Sequence, residues 1–260
     1  MFSWIEKFDI RLLQSDIFPD SLVHAFSTRI GGNTPEPLES FSMSAVGQDE
    51  FLNAIENNKK KLCNALDLSY SNLLIPSQSH TDNIAVIKEQ GYVNLSDTDG
   101  IITNLLNTPV MLLFADCTPI ILYSDKNKIL GVIHAGWRGT AKLIAAKAVK
   151  IFKNEFSVSP EEIKAVIGPA IGQCCYPVSI EVAEQLNRTI KETYDNIFLE
   201  EKNKTYVDLK KLNAQQLWEA GVREIDTTEH CTSCMNKIFY SYRADNGRTG
   251  RHCAIAAIKS

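Results

Sequence analysis

The residue pattern predicts an α/β chain built as one domain spanning residues 1–260, and three observations carry that reading. Short β-branched and apolar runs recur along the whole length. A few segments of helical period stand between them. No Pro/Ser/Gly-rich linker divides the chain, and its hydrophobic content of 44% suits a globular protein with a sizeable core.

In chain order, residues 23–27 read as a strand opening into the turn Thr28-Arg29-Ile30-Gly31-Gly32. Residues 50–66 read as an amphipathic helix, because Phe51, Ile55, Leu62 and Leu66 recur on one side. A short apolar run at 73–75 precedes Pro76 and leads to His80, and strands follow at 84–87 and 100–103. Residues 110–115 (VMLLFA), 119–123 (PIILY) and 129–134 (ILGVIH) form three more, the last two joined by the turn Asp125-Lys126-Asn127-Lys128. A helix rich in alanine and isoleucine is predicted over 141–152, and Ser159-Pro160-Glu161-Glu162 resembles a capping box with proline at the first helical position. After a strand at 165–168 come helices over 180–192 and 209–220, the second ended by Gly221. Strands at 238–242 and 253–258 close the chain.

His80, Cys117 and His134 carry the chemistry, each placed where a predicted strand ends. Two imidazoles and one thiolate are the ligands of an open catalytic zinc site, with the fourth position left for water or substrate. If the turn at 125–128 closes an antiparallel hairpin, position 119 faces roughly position 134, and Cys117 lies just beyond the end of the pair. Nothing local directs His80 toward the other two; taken alone it reads equally as a packed or solvated side chain. The stretch Ala135-Gly136-Trp137-Arg138-Gly139-Thr140 is either an anion cradle at a helix start or a plain tight connection, since it matches neither common phosphate-loop spacing.

Composition narrows the function classes. A net charge of −4, with Lys59-Lys60-Lys61 as a solvated helix face, argues against a nucleic-acid partner. Residues 1–10 lack the pattern of a secretory leader, and the longest apolar stretch, 110–123, is broken by Asp116; a soluble, cytoplasmic protein with no membrane partner is expected. Seven cysteines are then thiols or ligands rather than a disulfide framework. Cys231-Thr232-Ser233-Cys234, flanked by His230 and later by His252-Cys253, is either part of a second, structural zinc site or, lacking a second Cys-x-x-Cys, a pair of reduced thiols near the site edge, the reading preferred from sequence; Cys174 and Cys175 receive no chemistry. No feature specifies a monomer or an oligomer.

The segments HAFSTRIGG (24–32), SQSH (77–80), ADCTPIILYSD (115–125), GVIHAGWRGT (131–140), IGPAIGQCCYPV (167–178) and FYSYRADNGRTGR (239–251) together resemble the YfiH-type family. Its members have carried the labels laccase-domain protein and multicopper polyphenol oxidase and are described as purine nucleoside phosphorylases. The resemblance implies an α/β/β/α layered fold, with mixed sheets packed face to face and helices outside. It implies zinc on His80, Cys117 and His134, and phosphorolysis of adenosine, inosine and methylthioadenosine, with adenosine deamination as a further activity. The chain departs from the family pattern at Phe41-Ser42-Met43-Ser44, at Asn57-Asn58 and at Arg243-Ala244, where a second arginine is usual.

Phosphorolysis requires cations for phosphate and a proton donor for the departing purine. Arg29, Arg138, Arg243 and Arg251, all in glycine-containing loops, are the phosphate candidates; for the hydrolytic branch, adenosine deamination, Asp82, two residues beyond His80, is the acid/base candidate. Two alternatives compete. A four-copper oxidase relies mainly on imidazole ligands and needs roughly ten histidines; this chain has five. A single copper with an axial ligand from Met43, Met111 or Met235 is conceivable, but no typical ligand run places it. A cysteine-dependent amidohydrolase would use Cys117 as nucleophile and His134 as base.

Overall fold

The structure, a computed structural model, describes residues 1–45, 47–91, 93–191 and 196–260. The strands among them are β1 (Phe2–Lys7), β2 (Ile10–Ser15), β3 (Leu22–Ser27), β4 (Ile84–Ile87), β5 (Gly100–Thr103), β6 (Val110–Phe114), β7 (Thr118–Ser124), β8 (Ile129–Ala135), β9 (Lys164–Ile167), β10 (Pro177–Val178), β11 (Phe198–Glu201), β12 (Lys204–Val207), β13 (Glu224–Thr227) and β14 (His252–Ile258). The helices are α1 (Leu52–Ala65), α2 (Trp137–Ala141), α3 (Ile144–Phe156), α4 (Ile180–Asn187) and α5 (Leu209–Glu219). None is long and apolar enough to cross a membrane.

Two large sheets face each other. One is antiparallel and runs β1-β2-β3-β14-β6; the other is mixed and runs β13-β9-β7-β8-β5-β4, with parallel pairs at its two margins. Along β7 the side chains alternate: Ile121 and Tyr123 enter the core between the sheets with Phe26, Leu112 and Ala254, while Ile120 and Leu122 turn outward against Ile144, Val149 and Phe152 of α3. Both faces are therefore buried, which is why β7 and β8 read as continuous apolar runs rather than alternating ones. Each such isoleucine or leucine contributes about 1.5–3 kcal/mol by burial. On the far side of the antiparallel sheet, Ile10, Met111 and Ile255 pack against Leu62 and Leu66, the apolar side of α1. The layers are thus helix, sheet, sheet, helix, as the resemblance implies. A small sheet, β10-β12-β11, packs with α4 and Trp137 in a satellite cluster.

Several elements differ from the sequence reading. The helix expected over 141–152 is split: α2 already occupies Trp137–Ala141, Leu143 takes a left-handed φ of 61°, and α3 starts at Ile144 and runs to Phe156. The apolar run at 73–75 forms only a single bridge, Leu74 with Val110. Residues 238–242 are turn and irregular backbone rather than a strand: the Ile238 carbonyl accepts from the Arg29 amide, the Phe239 amide donates back to Met235, and the neighbours Phe239 and Tyr240 are both buried rather than alternating. The capping box forms at Ser159 but opens only a 3-10 turn, Pro160–Glu162. α4 ends at Asn187, and the predicted end at Glu192 lies outside the described residues. The hairpin β1–β2 has no sequence counterpart because β1 is an edge strand whose pattern does not alternate.

Candidate metal centre and active site

The β7–β8 hairpin places two of the three candidate ligands. Pro119 pairs with His134 and Thr118 with Ala135, so Cys117 stands one residue outside the ladder beside the end of β8. The third arrives through Asp99. Because Gly100 of β5 pairs with Ile133 of β8, Asp99 lies beside His134, and its carbonyl accepts from the His134 amide at 2.8 Å. The fully buried Asp99 carboxylate then accepts from the amides of Ser79 (3.2 Å), His80 (3.1 Å) and Thr81 (2.7 Å) and from the Thr81 hydroxyl (2.8 Å). These contacts hold His80 at φ 63°, a left-handed conformation costing about 1–3 kcal/mol in a non-glycine residue. One nitrogen or sulfur from each of His80, Cys117 and His134 lies within 4.8 Å of the others.

Asp99 also sets the imidazole. His134 Nδ1 stands 2.7 Å from Asp99 Oδ1. Burial works against ionisation of Asp99, but His134 and Thr81 outweigh it and hold the carboxyl well below the usual range. An ionised Asp99 accepts the Nδ1 proton and leaves His134 Nε2 for a metal. Burial likewise pushes the Cys117 thiol up, yet the His134 and His80 imidazoles together bring it down to about 6. A thiol so poised supplies a thiolate at neutral pH, the form that binds metal or attacks carbon.

Gly136 closes the arrangement. A Cβ at this position would stand 3.0 Å from Cys117 Sγ and 3.3 Å from His80 Cδ2, so the tight approach signalled by the glycine-containing turn is an approach to the ligands themselves. Gly136→Ala is expected to lower metal affinity about tenfold, since misplaced ligands cost on the scale of lost supporting contacts. Unchanged metal retention against a competing chelator would show that the ligands tolerate the methyl.

The three ligands line a cavity of 640 Å³ together with Gln78, Asp116, Tyr176, Tyr242, Arg243 and Arg251. That volume falls in the range of small-molecule sites. The Arg251 amide donates to Ser42 Oγ at 3.0 Å, and its guanidinium donates to the Thr249 and Gly250 carbonyls. The Ser42 carbonyl accepts from the buried Asn58 amide at 2.9 Å, so two of the chain's departures from the family pattern meet in the support of one arginine. The Arg243 guanidinium lies over the Tyr176 ring at 5.5 Å, and its amide donates to Asp116 at 2.7 Å.

Three sequence candidates stand elsewhere. Arg29 pairs with Glu39 at 3.0 Å and lies over the Tyr240 ring, lining a different depression; Arg138, exposed on α2, covers Trp137. Asp82 turns from the cavity to ion pairs with Lys147 (3.0 Å) and Lys142 (3.3 Å), and the Lys147 hydrogen bond keeps its carboxyl below the usual range. Asp99, Gln78, Asp116 and the two tyrosines escaped the sequence reading. For Asp99 the available signal was strand register, because any residue just before β5 must meet the end of β8.

Residues 23–259 match the family described as multi-copper polyphenol oxidoreductase laccase. The chain belongs to this family. It is 33% identical over 245 residues to purine nucleoside phosphorylase YlmD of Geobacillus stearothermophilus, covering 90% of this chain and 89% of that protein. The crystal structure of YlmD from that organism superposes with a TM-score of 0.91 at 31% identity and 98% coverage of both chains. Bacillus licheniformis hypothetical protein YfiH does so with a TM-score of 0.91 at 30% identity, covering 98% of this chain and 99% of its own.

Despite the family's name, the other histidines do not gather at the centre. His24 accepts from the Ser15 amide, His230 contacts Thr228, and His252 is buried between Phe114 and Phe239. Met43, Met111 and Met235 do not line the cavity.

Proposed function

We propose that residues 1–260 form one catalytic domain of a cytoplasmic, zinc-dependent purine nucleoside phosphorylase. Its substrates are adenosine, inosine and methylthioadenosine together with phosphate, and adenosine deamination is a further activity of the same centre. The observation that carries this reading is an open two-histidine, one-cysteine donor set sharing a cavity with Arg243 and Arg251, in a chain whose relative bears the phosphorylase name. The donor set fits zinc: one thiolate, two imidazoles and a carboxylate orienting one of them leave a fourth position open. Bound there, zinc supplies Lewis-acid stabilisation of negative charge. Arg251 and Arg243 hold the phosphate oxygens by charge-assisted hydrogen bonds, and Asp99 keeps the His134 ring and the His80 loop in place.

A second reading has its own observation. Cys117, His134 and Asp99 form a thiol–imidazole–carboxylate series, the order a cysteine hydrolase uses. His80 has no role in such a series, and its ligating atom stands with the other two.

Inosine supplied with phosphate is expected to give hypoxanthine and ribose 1-phosphate in equal amounts. Base release at the same rate in phosphate-free buffer would make the enzyme a hydrolase. Arg251→Ala should keep its zinc and raise the phosphate concentration for half-maximal rate about tenfold or more, because a charged hydrogen bond is worth about 1.5–3 kcal/mol.

A further inference from the structure

We propose that Cys174, Cys175, Cys231 and Cys234 form a second metal centre, a structural tetrathiolate zinc site that ties the loop around residues 172–176 to the 231–234 turn. In sequence, Cys231-Thr232-Ser233-Cys234 offers only half of such a site, and without a second pair reduced thiols are the better reading. The fold supplies that pair. Ala170 bridges Cys231, which brings the 3-10 turn Gln173–Cys175 against the Cys-x-x-Cys turn, and the four sulfurs lie within 4.8 Å of one another.

The four sulfurs stand close enough together to share one ion. Cys234 Sγ stands 3.5 Å from Cys174 Sγ and 3.4 Å from Cys175 Sγ. Zinc–sulfur bonds of about 2.3 Å imply sulfur–sulfur edges of about 3.8 Å. Adjustments of a few tenths of an ångström along these two edges therefore admit the ion. Gly172 keeps the space: a Cβ there would meet Cys231 Cβ at 3.1 Å and the sulfurs of Cys174 and Cys231 at 3.3 Å.

Two further features suit bound thiolates. The Gly172 amide donates to Cys231 Sγ at 3.1 Å. Nearby, Lys210 is only 3% exposed, with its ammonium donating to the His230 carbonyl at 2.8 Å and its charge felt by Cys231 and Cys174. Burying an ammonium is costly unless an opposite charge compensates it. Zinc with four thiolates would carry a net charge of about −2 and add to the opposite charge that Asp208 already sets against Lys210. Four protein ligands leave no open position, so the role is structural.

That role reaches the active-site wall. Within the turn, the Thr232 amide donates to the Ala170 carbonyl at 3.0 Å and its hydroxyl to Asp116 Oδ1 at 2.6 Å. Asp116 in turn accepts from the Arg243 amide, and Ile171 and Tyr176 of the clamped loop line the same cavity. The centre would thus set the position of Arg243 without touching substrate.

The test is metal stoichiometry on full-length protein purified in reductant without chelator. Elemental analysis should find about two zinc ions per chain in the wild type and about one in the Cys231→Ser/Cys234→Ser double variant, as for separate closed and open sites. Cys117→Ser, with the catalytic site disabled, should retain about one, and after exchange with cobalt should show the intense sulfur-to-metal charge transfer of a tetrahedral thiolate site. This last measurement stands even if the double variant fails to fold. The proposal is overturned if Cys117→Ser binds no metal and its six remaining thiols all react with a thiol reagent in the unfolded chain, or if two are missing because a disulfide has formed. Phosphorolysis by the wild type, measured separately, tests the proposed function whichever of these results is found.

Discussion

Replacing Cys117 by serine is expected to abolish zinc at the catalytic centre and turnover together. A neutral hydroxyl is a poor zinc donor, and the two remaining imidazoles bind weakly. One of those, His80, is exposed and sits on a loop in a left-handed conformation, so it offers little compensation. Lewis-acid stabilisation is worth several kcal/mol, so the loss in kcat/KM should be on the order of 10³-fold. The cysteine-hydrolase reading gives a different pair of outcomes: serine would stop turnover and leave the metal content unchanged. Elemental analysis and inosine phosphorolysis on the same preparation separate them. Since the tetrathiolate centre would keep its own ion, the relevant quantity is the difference from wild type, about one zinc per chain for a single open site. Full wild-type zinc in an inactive variant would overturn the ligand role of Cys117.

What could be read in advance follows from how local each interaction is. The β7–β8 hairpin was legible because two apolar runs flank a polar turn, and its register, Pro119 opposite His134, is the one the turn implies. The layered architecture and the place of His80 beside the other ligands came from resemblance. No periodicity carries the loop at 77–81 to the end of β8; the buried Asp99 does so through hydrogen bonds whose donors lie nearly twenty residues upstream. Arginine in a glycine-containing loop proved a coarse criterion, since Arg243 and Arg251 reach the cavity while Arg29 and Arg138 lie over aromatic rings elsewhere. Asp82 has suitable spacing from His80, but Lys142, at the end of α2, and Lys147, in the first turn of α3, turn it away. The four cysteines came together through the bridge between Ala170 and Cys231, a contact between segments far apart in the chain.

Asp99→Asn is expected to be the most damaging substitution at a residue that is not itself a ligand. The carboxylate accepts from Ser79, His80 and Thr81 and from His134 Nδ1 at 2.7 Å, with no solvent exposure. An asparagine of the same shape has one acceptor oxygen, and its amide nitrogen must face one of these donors. Donor then meets donor in a buried site, where each unsatisfied group costs about 1–3 kcal/mol. The damage divides into two measurable parts. His134 loses the partner that fixes its tautomer, and the His80 loop loses the contacts that offset its left-handed backbone; loss of such a supporting carboxylate lowers metal affinity about 10–100-fold. The melting temperature of metal-free protein should fall as well, because the lost hydrogen bonds do not depend on zinc. Chelator competition reads the first part and thermal unfolding in the absence of metal reads the second. A variant that kept wild-type zinc affinity while losing only stability would reduce Asp99 to a loop anchor, and the orientation of His134 would have to come from the β5–β8 pairing alone.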